Sequence, residues 1–399
     1  MRWASSISTE PLLHNAISEC EAVLRAELNG LAPDLVILFT DVAFDRQIDS
    51  VAEYVADQFP GATIIGCNGT GVIGAGKEIE STPALSITAA HLPGVVLVPF
   101  HLTSSIIPSP DAAPDAWENC VGIPAAATPQ FILLADPFTF DGESLLAGLD
   151  YAFPSAAKIG GLASGGSRTG VHSLYLNGAT HKSGAVGIAL SGEIIVDTVV
   201  AQGCRPIGRS MRATLTEQNM LVTADDRAPL EELQDLFEHA SVRDKNLMQH
   251  NLFMGVAMDP LLDEAGPGDF LIRNIVGADS KKGTVTVGGA LREGLLVQFH
   301  VRDAETSADD LRRAFASYLR DVGGRHASAA LIFQCSGRGN FLYGREGHDS
   351  DMFSEWIGAL PMGGFFCNGE IGPVGGTTYL HGYTSSFAIF RERTVNEVS

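Results

Sequence analysis

Short apolar runs alternate along the chain with stretches in which apolar residues return every third or fourth position. That is the pattern of buried strands alternating with amphipathic helices. One unit recurs: an apolar run ending in a polar residue, an amphipathic helix closed by proline, and a second apolar run entering a glycine cluster. The first copy has a strand over Asp34–Thr40, then Ile48, Val51, Val55 and Phe59 on one helical stripe stopped by Pro60-Gly61. The strand Ala62–Ile65 follows and runs into Gly66-Cys67-Asn68-Gly69-Thr70-Gly71. The second copy has Gln130–Asp136, a helix carrying Leu145, Leu146, Leu149 and Phe153, Pro154, and then Ala156–Ile159 before the cluster Gly160–Gly166. The third has Ala329–Cys335, a helix carrying Met352, Phe353, Trp356, Ile357 and Leu360, Pro361, and Gly363–Phe366 before Cys367-Asn368-Gly369-Glu370. A degenerate fourth copy is expected at Leu252–Ala257 and Phe270–Val276.

β-type runs follow each cluster, at Ala84–Ala89 with Val95–Val98, Ala185–Leu190 with Ile194–Val196, Thr284–Val287 with Leu295–Phe299, and Ser386–Phe390. Ser191-Gly192 and Arg292-Glu293-Gly294 read as hairpin turns. A helix over Ala228–Ala240, with Pro229 in its first turn, opens a second half, and Met211–Ala228 reads as the boundary. The expectation is an α/β (α+β) fold of two related domains, 20–222 and 223–395. Each is made of mixed sheets with outer helices, built from repeated strand–helix–strand–hairpin units.

Composition narrows the function. Lys and Arg number 26 against 47 Asp and Glu, a formal charge of −21. Such a chain repels nucleic-acid phosphate and anionic membrane surfaces. The charge-free tract Ser81–Pro110 is broken by Pro83, Pro93, Gly94 and Pro99, so it reads as strands and no membrane insertion is expected. The N-terminus has no apolar signal-peptide core, and six cysteines without a CxxC pair make neither a disulfide scaffold nor a zinc ribbon. A cytoplasmic location follows as the expectation. The histidines form no HExxH, and Gly71–Glu78 lacks the spacing of a P-loop. Gly69–Gly74 matches a lone GxGxxG but leads into no helix. Neither metal nor cofactor is expected.

Candidate chemistry gathers at the glycines, 44 of 399 residues against a usual share of about 7%. As tight turns at positive φ they would present successive amides to an anion, or they are plain structural corners. Cys67 and Cys367 stand at matching places, and Cys335 precedes Ser336-Gly337-Arg338-Gly339. Each thiol reads either as a small buried apolar group or as a nucleophile, the latter with His381 or His348 as base for Cys367. Arg338 could clamp a carboxylate and Glu370 accept from an amine, which together suit an amino-acid zwitterion. The plain alternative is an ion pair between the two. Thr40, Asp41 and Asp136 end strands, where they would serve as ligand groups or helix caps.

Ile64–Gly74, Ile159–Gly166 and Gln202–Gly208 resemble the N-terminal domain of the FIST (F-box and intracellular signal transduction) proteins. Cys335–Gly339 and Gly364–Pro373, with His381 following, resemble the FIST C-terminal domain. The resemblance spans residues 20 to 390. It implies a sensory pair of domains that bind small ligands, amino acids or their derivatives being favoured. With no F-box or kinase segment read in the chain, a signalling protein is the expected partner. The ligand site is placed at Cys67, Asn68, Gly69, Cys335, Arg338, Cys367, Asn368 and Glu370. Alternatives are a cysteine-dependent enzyme acting on a small acyl or thiol substrate through Cys367 and His381, and a protein-interaction scaffold.

Overall fold

The computed structural model describes residues 1–44 and 50–393; Ile48, placed above on a helical stripe, lies outside them. Three runs of chain follow one order of elements. The first comprises β1 (Arg2–Ser8), α1 (Leu13–Glu27), β2 (Leu35–Asp41), α2 (Val51–Gln58), β3 (Thr63–Gly69), β4 (Val72–Gly74), β5 (Lys77–Ile79) and β6 (Leu85–His91). The second comprises β7 (Val95–Leu102), α3 (Pro114–Val121), β8 (Gln130–Ala135), α4 (Gly142–Ala152), β9 (Lys158–Leu162), β10 (Leu174–Leu176), β11 (Ala179–His181) and β12 (Ala185–Gly192).

The third run starts with β13 (Ile194–Ala201) and is then interrupted by a long excursion. This holds β14 (Cys204–Pro206), β15 (Met211–Glu217), β16 (Met220–Ala224), α5 (Pro229–His239), α6 (Val242–His250), β17 (Leu252–Ala257), β18 (Phe270–Asp279), β19 (Thr284–Val287) and β20 (Leu296–Arg302). The run resumes with α7 (Ala304–Val322), β21 (Ala329–Cys335), α8 (Gly339–Tyr343), α9 (His348–Trp356), β22 (Met362–Cys367), β23 (Glu370–Val374), β24 (Thr377–His381) and β25 (Ser385–Glu392).

The fold is thus α/β, with mixed sheets and helices on their outer faces. Each run supplies four consecutive strands, counted from one edge, of a six-stranded sheet: β1-β6-β2-β3, β7-β12-β8-β9 and β13-β25-β21-β22. In each, the helical crossover joins a parallel pair. The last two strands of every sheet come from a different run. The hairpin β4–β5 joins β22, β10–β11 joins β3, and β23–β24 joins β9. All three hairpins have two-residue turns with both φ positive, at Ala75-Gly76, Asn177-Gly178 and Gly375-Gly376, as type I′ turns require.

The central strands are apolar on both faces because both are covered. Inward, Ile37, Phe39, Ile132, Leu134, Leu331 and Phe333 form one core, in which Phe39 stacks on Phe365 at 4.9 Å. Outward, Leu13, Ile17 and Leu24 of α1 and Val51 and Val55 of α2 cover Val36 and Leu38. Trp117 of α3 and Leu145 and Leu149 of α4 cover Phe131 and Leu133 in the same way.

By its internal packing the described chain divides into two compact units. One comprises Met1–Ala201, Arg312–Leu380 and the chain from Thr384 on; the other comprises Gln202–Leu311 with His381–Tyr383. In the second, β20, β15, β16, β19, β18 and β17 pair in that order and β17 pairs back to β20, closing a barrel; β14 adds to β20. Its core holds Met211, Met254, Val285, Val297 and Phe299.

Several expectations change accordingly. The segments read as a degenerate fourth copy pair antiparallel with each other as barrel strands β17 and β18. The stretch read as a boundary is the β15–β16 hairpin. Ser191-Gly192 does not close a hairpin, because β12 pairs with β7 and β8 whereas β13 pairs with β25. Nor does Arg292-Glu293-Gly294, since β19 pairs with β16 and β18 but not with β20. In these places a short polar connection carries the chain onward to a non-adjacent strand, and a turn signal does not distinguish that from a return.

Candidate functional site

The first glycine cluster is strand, not turn. β3 runs through Gly69, and none of Gly66, Gly69 and Gly71 takes a positive φ. Close approach explains the glycines better. A Cβ on Gly66 would overlap the carbonyl of Leu38 on the neighbouring parallel strand; Gly160 stands likewise against Leu133, and Gly364 against Ile332. These three glycines are therefore equivalent positions. On that register Cys67 matches Phe365, and Cys367 matches Gly69. The two cysteines do not occupy the same place, as their spacing from the prolines suggested.

The carboxyl ends of the three parallel pairs meet. Asn68 Nδ2 donates to the Ser164 carbonyl at 2.9 Å, and Asn68 Oδ1 accepts from the Ser173 amide at 2.5 Å. Thr70 N–H donates to Ser164 Oγ at 2.9 Å, and Ser164 Oγ donates to the Phe366 carbonyl. Thr70 Oγ1 donates to Ser336 Oγ at 3.2 Å, and Ser336 Oγ donates to the Cys367 carbonyl at 2.7 Å. Backbone bonds from Leu162 to Gly369 and from Asn368 to Leu162 complete the lacing. Three hydroxyls, one from each crossover, thus line a mouth at which Ser336 and Asn368 are exposed.

Beneath the mouth lie three thiols. Cys67 and Cys367 are fully buried and Cys335 is partly exposed. Burial pushes the thiols of both Cys67 and Cys367 well above their ordinary range. For Cys367 the charge of Glu370 and the neighbouring Cys67 and Cys335 add to the effect. Cys367 is thereby kept as a neutral thiol, which does not suit it to open an attack on an acyl substrate. Glu370 is also buried and accepts from the amide and hydroxyl of Thr384 at 3.1 and 2.7 Å. His381 groups with the barrel unit.

Arg338 does not stand in a surface loop. It is wholly buried and pairs with Asp349 at 2.8 and 3.2 Å, while Nη2 also donates to the Tyr343 hydroxyl at 2.7 Å. The bidentate fork expected for a ligand carboxylate is already closed on a carboxylate of α9, and Glu370 is not its partner. His348 Nδ1 lies 2.8 Å from Asp349 and its ring stacks on Tyr343. Glu78 joins this cluster, accepting from the amide and hydroxyl of Ser350. Its carboxyl is raised to about 7, chiefly by burial and then by the charge of Asp349.

Beside the mouth opens a pocket of about 330 Å³ lined by Val42, Asn68, Gly165, Gly166, Ser167, Arg168 and Val171. Arg168 is exposed at its rim. The wall is fixed from behind. His172, fully buried, accepts from the Gly166 amide at Nε2 (3.2 Å), and its Nδ1 lies 2.8 Å from Asp136 Oδ1. Asp136 Oδ2 accepts from Thr139 at 2.5 Å, and Phe138 stacks on the imidazole. Asp41 turns aside to accept from the Ala43 amide, and burial raises its carboxyl above the ordinary value. Thr40 bonds Tyr175.

Of the residues expected to bind ligand, Cys67, Asn68, Gly69, Cys335, Cys367 and Asn368 gather at or under the mouth. Only Asn68 lines the pocket, and Arg338 is engaged elsewhere. Arg168, Ser167, Val42 and Val171 were missed, although an arginine closing the longest glycine cluster was a visible signal. Among the described residues no group of three or more His, Cys, Asp and Glu is placed to hold a metal ion. Among them too, no helix is long and apolar enough to cross a membrane.

This arrangement sets three pairs of converging strand ends beside a small polar-rimmed pocket in an α/β fold. The FIST N domain matches residues 34–227 and the FIST C domain matches 229–373, so the chain belongs to the FIST family. FIST domains are associated with sensing in signal transduction. An uncharacterized protein of Mycobacterium tuberculosis (strain H37Rv) is 34% identical over 391 residues, 98% of this chain and all of that one. An uncharacterized protein of Mycobacterium bovis is 33% identical over 390 residues, covering 98% and 99%. Among solved structures, one described as "cyanuic acid hydrolase from A. caulinodans" aligns over 98% of this chain and 100% of its own, at 9% identity and a TM-score of 0.38.

Proposed function

We propose that this FIST protein is a cytoplasmic small-ligand sensor that takes an amino acid or related small carboxylate in the pocket at Gly165–Arg168, and passes the signal to a partner protein. The observation that carries the reading is the pocket itself. Its volume suits a small metabolite. One end offers the Arg168 guanidinium and the main-chain groups of a glycine turn, which suit a carboxylate. The other offers Val42 and Val171 for a short apolar side chain. The small residues at Gly165 and Gly166 let the ligand reach the backbone.

The test is thermal stability of the purified protein across a set of amino acids and short-chain carboxylates. A ligand that binds only the folded state raises the melting temperature, by about 2.7 kcal/mol of stabilisation at a hundredfold excess over Kd. Arg168→Ala should abolish that response and leave the ligand-free melting temperature within about one degree, because an exposed side chain away from structural contacts contributes under about 0.5 kcal/mol. An identical response in Arg168→Ala, or no response to any compound, overturns the reading.

A further inference from the structure

Cys335 and Cys367 end the two parallel strands of the third run and stand directly opposite each other in the register. Neighbouring strands lie about 4.8 Å apart, inside the range of about 4.4–6.8 Å that a disulfide asks of its Cα atoms. Cys335 is partly exposed at the mouth, whereas Cys367 is buried against the bare Cα of Gly161. The guanidinium of Arg338 is within electrostatic reach of the Cys335 sulfur. Asp349 and Tyr343 occupy its Nε and Nη2, while Nη1 is buried without a hydrogen-bond partner. A cation beside a thiol favours the thiolate, the form that reacts.

We propose that Cys335 and Cys367 form a reversible thiol–disulfide switch, with a hydroperoxide as oxidant. The Cys335 thiolate attacks the terminal peroxide oxygen and the O–O bond breaks. The alkoxide or hydroxide leaves and takes up a proton, and Cys335 becomes a sulfenic acid. The Cys367 sulfur then attacks the Cys335 sulfur; its proton and the sulfenic hydroxyl depart as water. Two thiols lose two electrons and the peroxide gains them. Cys67 is on another strand, in the register position of Phe365, and takes no part.

The test treats the reduced full-length protein with stoichiometric hydrogen peroxide. Remaining thiols are alkylated after denaturation and the peptides are mapped without reduction. One bridged pair, Cys335 with Cys367, should form and disappear on treatment with dithiothreitol. Cys67→Ser should leave it intact. Cys335→Ser should leave Cys367 fully alkylatable, and Cys367→Ser should halt at a sulfenic acid on Cys335 that dimedone traps. Should Cys367→Ser not fold, the wild-type map and Cys335→Ser, at a partly exposed position, still decide. The proposal is overturned if Cys335 goes on to sulfinic acid, or stays reduced, while Cys367 remains alkylatable, or if the bridge joins Cys67. The readout involves no ligand, so its failure leaves the Arg168 pocket untouched.

Discussion

The sulfur of Cys367 rests against the bare Cα of Gly161, where a Cβ would overlap it and also come within 3.2 Å of the Gly369 carbonyl. This contact joins the second and third crossovers at the level of the thiols. Gly161→Ala is therefore expected to destabilise the protein by about 1–3 kcal/mol through overpacking. Removing the sulfur relieves most of the overlap, so Gly161→Ala with Cys367→Ala should cost less than the sum of the two single changes. Denaturant unfolding of the four proteins measures the coupling, and strict additivity would show that the contact carries no strain.

What was legible in the sequence was the part governed by local pattern. The three strand–helix–strand crossovers fall where apolar periodicity and closing prolines put them. Exchange of hairpins between sheets is not encoded locally, because β4–β5 carries the same pattern whichever strand it pairs with. The turns are legible: Asn177-Gly178 and Gly375-Gly376 are type I′ sequences, although both lie outside the apolar runs. Nor does composition mark that the chain leaves one compact unit at Ala201 and re-enters it at Arg312. At the site, convergence of the glycine clusters followed from the recurrence. Burial of Arg338 did not, because a Gly-Arg-Gly segment gives no sign that Asp349 waits one helix later.

Of the three equivalent hairpin turns, the first has Ala75 at φ +48°, where the others have asparagine and glycine. A Cβ in left-handed conformation costs about 1–2 kcal/mol, and asparagine tolerates it better. Ala75→Asn should therefore stabilise the protein by about 0.5–1 kcal/mol. A higher denaturation midpoint at unchanged slope is the expected result; a lower one would mean that the turn is not type I′.

Breaking the Arg338–Asp349 pair should be costly. Both side chains are buried, and removing one takes away the charge paired bidentately with the other, an expected loss of about 3–5 kcal/mol for Arg338→Ala or Asp349→Ala. Replacing both by apolar residues of similar size, Arg338→Met with Asp349→Leu, should recover much of the loss. Chemical denaturation of the single and double variants decides; a double variant no better than either single one would place the stabilising role elsewhere.

Glu78 gives this cluster a pH dependence. Its carboxyl is raised from 4.5 to about 7 in the folded protein, so between these values the folded state holds a proton that the unfolded state has released. Stability from this group is therefore fully present below pH 4.5 and lost as pH rises through 7. Asp349, held well below the usual carboxylate range by Arg338 after its burial is overcome, stays ionised across that window. The stability of Glu78→Gln should fall less steeply between pH 5 and 7.5 than that of the wild type. Superimposable slopes would mean that the carboxyl ionises normally.

The pocket wall is held through His172 and Asp136. The Gly166 amide can only donate, so His172 Nε2 accepts and the imidazole proton sits on Nδ1, facing Asp136. Asp136 also accepts from Thr139, whose hydroxyl already accepts from the Gly184 amide. An asparagine at 136 has one accepting and one donating end. Turned one way it sets its amide against Nδ1–H, which forces the ring into the tautomer that opposes Gly166; turned the other way it donates to the Thr139 hydroxyl, whose own proton then loses its acceptor. Asp136→Asn should thus loosen the Gly165–Arg168 turn while nearly preserving volume. Amide hydrogen exchange at Gly166 is expected to rise at least tenfold, corresponding to about 1.4 kcal/mol of lost protection, with ligand affinity weakened in parallel. Unchanged exchange at Gly166 would show that the turn holds its shape without the imidazole, and His172 would then be a core residue with no hold on the pocket.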